Sequence, residues 1–265
     1  MPEGVWPWGT AAEHALRGAL GLCCGVLAAV PARHRFSVAL GASRAAAWLL
    51  PRSRLNVLRS PVESGRDAVV GQVLRALRKR GIDHPLRVRV DGIRELDEAV
   101  ASGRGVLLVG PHTRLTIPAL HHLHERGYDL AVVTWVPVPP PEKSPVLPQI
   151  PRSPLLLVAV REALGEGRTV FAMIDRAEPL PGLTTPVRAA GGTLHVSDAL
   201  LRLAARCGAR TLFVASRAER GGIRCTIQAP RPAAGEADAA GVESFTRFVE
   251  EFAARARPGP TGPEP

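Results

Sequence analysis

Apolar residues along this chain fall into two rhythms. Runs of four or five apolar, often β-branched residues occur at Val106–Val109, Leu130–Val133 and Thr211–Ala215, which is the length and composition of strands covered on both faces. Between them the spacing changes to threes and fours. Leu115, Ala119, Leu120 and Leu123 share one helical face, and Leu200, Leu201, Leu203 and Ala204 share another. Gly127 and Gly208 follow these stretches as helix stops. Leu86–Val90 alternates apolar with charged, the pattern of a strand with one open face, and Asp91-Gly92 turns it into a short helix, Ile93–Ala101. Further along, the pattern predicts a helix at Pro154–Leu164, a strand at Thr169–Ile174, a loop at Asp175–Leu183 and a strand at Thr184–Arg188. A helix at His195–Cys207 and the Thr211–Ala215 strand follow. Gly221-Gly222 then turns into a hairpin partner, Ile223–Gln228, and the helix Val242–Ala254 closes the fold. Strands alternating with helices predict an α/β fold with a mostly parallel central sheet flanked by helices.

The first part of the chain reads differently. Ala11–Val30 and Phe36–Leu50 are helix candidates closed by Pro31 and Pro51, so residues 1–60 form an N-terminal helical portion. The apolar core of the first, Ala19–Val30, is short of the roughly 20 residues that span a bilayer. Residues 11–30 therefore have two readings: a membrane-interface helix with Trp6 and Trp8 at headgroup depth, or a helix packed on the domain. Residues 61–256 form the α/β domain, beginning with an amphipathic helix, Pro61–Arg80, that turns Val69, Val70, Val73, Leu74 and Leu77 inward. Trp135–Pro145 carries too many prolines for a helix or a central strand and reads as a substrate-selecting loop. Residues 257–265 are a Pro/Gly tail with no reason to order.

Composition sharpens the choice of partners. The 265 residues carry a formal net charge of +10, and Lys79 and Lys143 are the lysines; the rest of the positive charge is arginine. Such a surface favours anionic partners: phospholipid surfaces or acidic carrier proteins. Aromatics are only 4%, and with no stacking platform or helix-turn-helix spacing a nucleic-acid partner is not expected. Cys23, Cys24, Cys207 and Cys225 form no CxxC pair and have no histidine at ligand spacing, so neither a disulfide framework nor a metal site is expected. Reduced, inert thiols suit a cytoplasmic protein, either free or in peripheral contact with the inner face of the cell membrane.

The candidate chemistry sits at Gly110-Pro111-His112. A histidine just after a buried strand and just before a helix occupies the carboxyl edge of the sheet, where open α/β folds bind ligands, beside helix N–H groups that favour negative charge. This strand, Gly-x-His, helix, Arg126-Gly127-Tyr128, strand sequence resembles the core of the lysophospholipid acyltransferase superfamily, in particular its lipid A (lauroyl/myristoyl) acyltransferase branch. Val90-Asp91-Gly92-Ile93-Arg94-Glu95-Leu96 is similar to that branch's lead-in, Gly167–Asp175 to its Asp-terminated strand, and Ser197–Phe213 to its following helix and strand. The resemblance covers about residues 35–230. It implies transfer of a fatty acyl group from an acyl-carrier-protein or coenzyme A thioester to a lipid or small-molecule hydroxyl or amine. His112 would be the general base, no cofactor would be bound, and the acyl thioester would be the co-substrate.

One position departs from the family pattern. Its signature is His-x-x-x-x-Asp/Glu, the acid orienting the histidine; here that place holds Ile117, followed by Pro118, and no carboxylate lies between His112 and Glu125. Losing the residue that orients a catalytic histidine costs about 10⁴ in turnover in Ser-His-Asp enzymes. Asp175 is the leading substitute, because its strand and that of His112 should emerge at one sheet edge. Arg114, Arg176 and Arg188 are candidates for binding phosphate or sulfate oxygens, and Thr113 and Thr116 for offering hydroxyls. His195 and Asp198, read as i,i+3 on one helix, are a second acid/base pair or an ordinary helix-end pair. His121, His122 and His124 read as solvated-face residues. The alternative to an acyltransferase is a repurposed relative that binds lipid, acyl chain or acyl-carrier protein.

Overall fold

The computed structural model describes residues 23–49, 65–80, 86–134, 147–176, 179–180, 182–231 and 241–256. Eight helices and ten strands are described. Helix α1 (residues 23–29) is followed by α2 (Ala32–Leu49), α3 (Gly65–Lys79), β1 (Arg87–Asp91), α4 (Ile93–Ala101), β2 (Val106–Gly110), α5 (Thr116–Glu125) and β3 (Leu130–Thr134). Then come β4 (Gln149–Pro151), α6 (Leu156–Gly165), β5 (Thr169–Met173), β6 (Asp175–Arg176), β7 (Thr185–Ala189) and β8 (Gly192–Val196). The chain closes with α7 (Ala199–Cys207), β9 (Arg210–Glu219), β10 (Gly222–Gln228) and α8 (Val242–Ala256).

Seven strands form the central sheet in the order β1-β10-β9-β2-β5-β3-β4. Every neighbouring pair is parallel except the β9–β10 hairpin. The expected fold class is thus the observed one. Strand β2 lies inside the sheet with all five residues buried, and its alternation sorts side chains between two cores. Leu107 and Val109 join α6, α7 and α8 on one face, where Phe213 of β9 packs against Phe245 and Phe248. Val106 and Leu108 join α2, α3, α4 and α5 on the other, with Phe36, Leu74, Leu96 and Leu120.

Several boundaries differ from the sequence reading, each for a tertiary reason. Gln149–Pro151 forms strand β4, parallel to β3 at the sheet edge, where a proline's lack of an N–H is harmless. Asp175-Arg176, expected as loop, is strand β6 of a second, three-stranded sheet ordered β6-β8-β7. Its β7–β8 hairpin turns through Ala190 and Gly191, both with positive φ (54° and 81°), the backbone that two-residue hairpins require. The predicted helix at His195–Cys207 is therefore split. His195 lies on β8 opposite Arg176, and the helix begins only at Ala199. The i,i+3 pairing of His195 with Asp198 is corrected accordingly: Asp198 stands at the start of α7 and accepts a 2.7 Å hydrogen bond from Arg202.

At the N-terminus, Cys24 and Leu27 of α1 are buried against Ala39, Val73 and Leu77 of α2 and α3. The described part of the 11–30 segment is thus packed on the domain; residues 11–22, Trp6 and Trp8 lie outside the described residues, as do the 135–146 segment and the 257–265 tail. No described helix is long and apolar enough to cross a membrane.

Candidate functional site

The site is built by the register of two neighbouring strands. Gly110 at the end of β2 pairs with Met173 at the end of β5, so two residues further along each chain bring His112 and Asp175 to the same edge. There the Asp175 Oδ1 accepts two hydrogen bonds at 2.7 Å, one from the His112 backbone N–H and one from its ring Nδ1. A carboxylate can only accept, so Nδ1 carries the proton and Nε2 is left as the ring's basic nitrogen. The Asp175 side chain is wholly buried while that of His112 is 23% exposed: the acid is fixed inside and the imidazole reaches the surface. Within the described residues the second Asp175 oxygen, Oδ2, is buried without a hydrogen-bond partner, the kind of atom that water or a ligand hydroxyl usually satisfies.

Local sequence explains why the turn holds. A Cβ on Gly110 would lie 2.5 Å from the Val214 carbonyl oxygen and 3.2 Å from the Phe171 ring, so only glycine lets β2 end this close to β9. Pro111 then turns the chain, and the Thr113 N–H bonds back to the Pro111 carbonyl at 2.7 Å. Helix α5 starts at Thr116, and no side chain caps it. Its N-terminus lies at the same edge as His112, but Pro118 has no N–H, and the Thr116 and Ala119 N–H groups bond the Thr113 and Leu115 carbonyls.

The other expected site residues are distributed more widely. Thr113 and Thr116 are buried, and their hydroxyls bond each other at 2.5 Å. The stem of Arg114 runs along α3, where Gly71 makes room for it; a Cβ there would meet the Arg114 Cβ at 2.5 Å. Arg176 follows Asp175 directly on β6. Arg188 is on β7 opposite Thr193, three rungs beyond the Thr185–Val196 pair that adjoins Asp175. At the rise of a strand that is roughly 10 Å away, so Arg188 stands apart from the dyad. Ile117, at the family's acid position, is packed against the α5-side core. Among the described residues no group of three His, Cys, Asp or Glu side chains is placed to hold a metal ion.

One cation escaped the sequence reading. Arg152 follows β4, and partial burial, then the nearby Arg176 charge, pull its guanidinium below the usual arginine range. Register explains the proximity: Pro151 pairs with Thr134 on β3, and β3 runs in register beside β5. Only recognition of β4 as a strand would have brought Arg152 to this edge. No family model matches the chain, and no curated protein matches it.

Proposed function

We propose that this protein is an acyltransferase that moves a fatty acyl group from a carrier-protein or coenzyme A thioester to a hydroxyl or amine. The observation that supports it is the His112–Asp175 pair: a proton-bearing Nδ1 held by a buried carboxylate, and a basic Nε2 on the open side. That is the arrangement a general base needs, whichever strand the carboxylate comes from. In the reaction, Nε2 takes the proton of the acceptor hydroxyl or amine as its oxygen or nitrogen attacks the thioester carbonyl. The tetrahedral intermediate collapses with cleavage of the C–S bond, and the imidazolium returns the proton to the departing thiolate. The positive end of the α5 dipole, at the same edge, favours the transient oxyanion. Arg176 and Arg152 suit the phosphate of a donor or acceptor, which associates the protein with acidic or phosphorylated partners.

The test is thiol release from acyl-carrier-protein and acyl-coenzyme A thioesters offered with hydroxyl and amine acceptors. His112→Ala should lower the rate by about 10²–10⁴. No turnover, or turnover indifferent to the substitution, removes this reading. Ile117 in the acid's usual place favours one rival, a relative repurposed to bind an acyl chain or acyl-carrier protein. Retention of acyl-carrier protein by the immobilised chain, without turnover, would select it.

A further inference from the structure

Three arginines stand on one rung of the central sheet. Arg89 of β1 pairs with Arg224 of β10, and Arg224 pairs with Arg217 of β9, so the three side chains leave the same face of adjacent strands. Like charges directly opposite one another destabilise a sheet, and two carboxylates offset them here. Asp91 lies 3.1 Å from Arg89 and 2.8 Å from Arg224, while Glu219 lies 2.8 Å from Arg224 and 3.3 Å from Arg217. Cation and anion therefore alternate across three strands, in the order Arg89, Asp91, Arg224, Glu219, Arg217.

The row has a cation at each end, and the two ends differ. The Arg89 side chain is 71% exposed, so water can serve it. The Arg217 side chain is 14% exposed, and its Nη1 is buried without a hydrogen-bond partner. Both carboxylates are already shared with Arg224, so the row is one anion short at its buried end. A buried donor without an acceptor is costly, and such an atom commonly marks the place of an ion, a water or a ligand. A guanidinium fork suits the paired oxygens of a phosphate or a carboxylate.

Register places this end of the row at the edge of the site. Strand β9 pairs with β2 as far as Val109 and Phe213 and then runs on to Glu219, so Arg217 lies past the end of β2, at the carboxyl edge. Alternation gives it the face of Phe213 and Ala215, which belong to the core under α6, α7 and α8. Asp175 shares its rung with Val196 of that same core. Only β2 stands between β9 and β5, the strand that leads to Asp175, and two strand spacings are roughly 10 Å. We infer that Arg217 is an oxyanion-binding residue, taking the phosphate or carboxylate of the molecule whose hydroxyl or amine meets His112. The identity of that molecule as acyl acceptor rests on the acyl-transfer reading; the oxyanion site itself does not.

The test is thermal unfolding of the full chain with inorganic phosphate or with acetate, ionic strength being held constant with chloride. It is run in the Arg176→Gln background, which removes a cation already assigned to phosphate. A ligand bound only by the folded chain raises the midpoint, and at saturation the rise should be about 2–4 °C. Arg217→Gln should abolish the rise. Arg217→Lys keeps the charge but gives up the fork, and should retain less than about half of it; this variant carries the test if Arg217→Gln does not fold. A rise with phosphate alone identifies a phosphorylated ligand, and a rise with acetate alone a carboxylate. No rise with either anion overturns the inference, as does a rise that both Arg217 variants leave undiminished. No thioester is present, so the outcome is independent of whether acyl transfer occurs.

Discussion

His112 gains its character from one carboxylate contributed by a residue 63 positions away. Asp175 Oδ1 holds both the backbone and the ring of His112, so removing its charge should disturb the ring's tautomer as well as its position. Asp175→Asn is expected to reduce thioester turnover by roughly 10⁴, the scale seen when a triad aspartate is neutralised. The His112→Ala, Asp175→Asn pair should be scarcely worse than His112→Ala alone, because groups that act as a unit are not additive. Multiplicative losses in that double variant would show that Asp175 acts independently of the ring. At the same scale, all four cysteines are free thiols, but they are not equally reactive. Burial, offset in part by a hydrogen bond with Ser216 and aided by the Asp91 charge, pushes the Cys225 thiol up to about 12. Its thiolate is then scarce at pH 8, and alkylation should be about 10³-fold slower than for an open thiol; mass spectrometry after labelling, native against denatured, measures this. The histidine was legible in the sequence because strand, glycine and helix surround it locally. Asp175 could be nominated as its partner because both strands end at one sheet edge, but the bond itself was not legible, since it depends on the register of the two strands.

Elements explain why Ile117, at the acid position of the family the chain resembles, takes no part in the His112–Asp175 pair. Ile117 is partly buried against the apolar core, and the ring nitrogen an acid would approach, Nδ1, already belongs to Asp175. Ile117→Glu should therefore give no gain in transfer rate, and it should lower stability by burying a charge without a partner. A large increase in rate from this change would contradict the assignment of Asp175. Helix α3 braces the other side of the edge. Asp67, buried in its first turn, accepts the Ala218 N–H of β9 at 3.0 Å, and Arg66 donates to the Ala218 carbonyl at 2.6 Å. Asp67→Ala should cost about 1–3 kcal/mol in chemical denaturation, since a buried backbone donor loses its acceptor. The amphipathic stripe of α3 was readable from its period; its clamp on β9 was not, because the sequence does not say which strand a helix crosses. The same limit hid β8, whose last two residues, His195 and Val196, read as the first turn of a helix although they pair with β6 and β7.

At the scale of the molecule, the last helix completes the core begun by the first strands. Phe245 and Phe248 of α8 lie with ring centres 5.5 Å from Phe213 of β9, and Phe252 stacks on Phe248. Phe245→Ala should cost about 3–5 kcal/mol by urea unfolding; a change below about 1 kcal/mol would mean that α8 is not part of the cooperative fold. The sequence by itself determined the α/β class, the order of most elements and the place of His112 at a strand end. Those follow from local periodicity and turn chemistry, which neighbours along the chain dictate. Only the tertiary structure decided the strand order, the second sheet, the pairing of His112 with Asp175 and the company of Arg152 and Arg176. Each of these is a contact between residues far apart in sequence, and nothing in a local pattern of apolar and polar positions specifies which distant strand will become the neighbour.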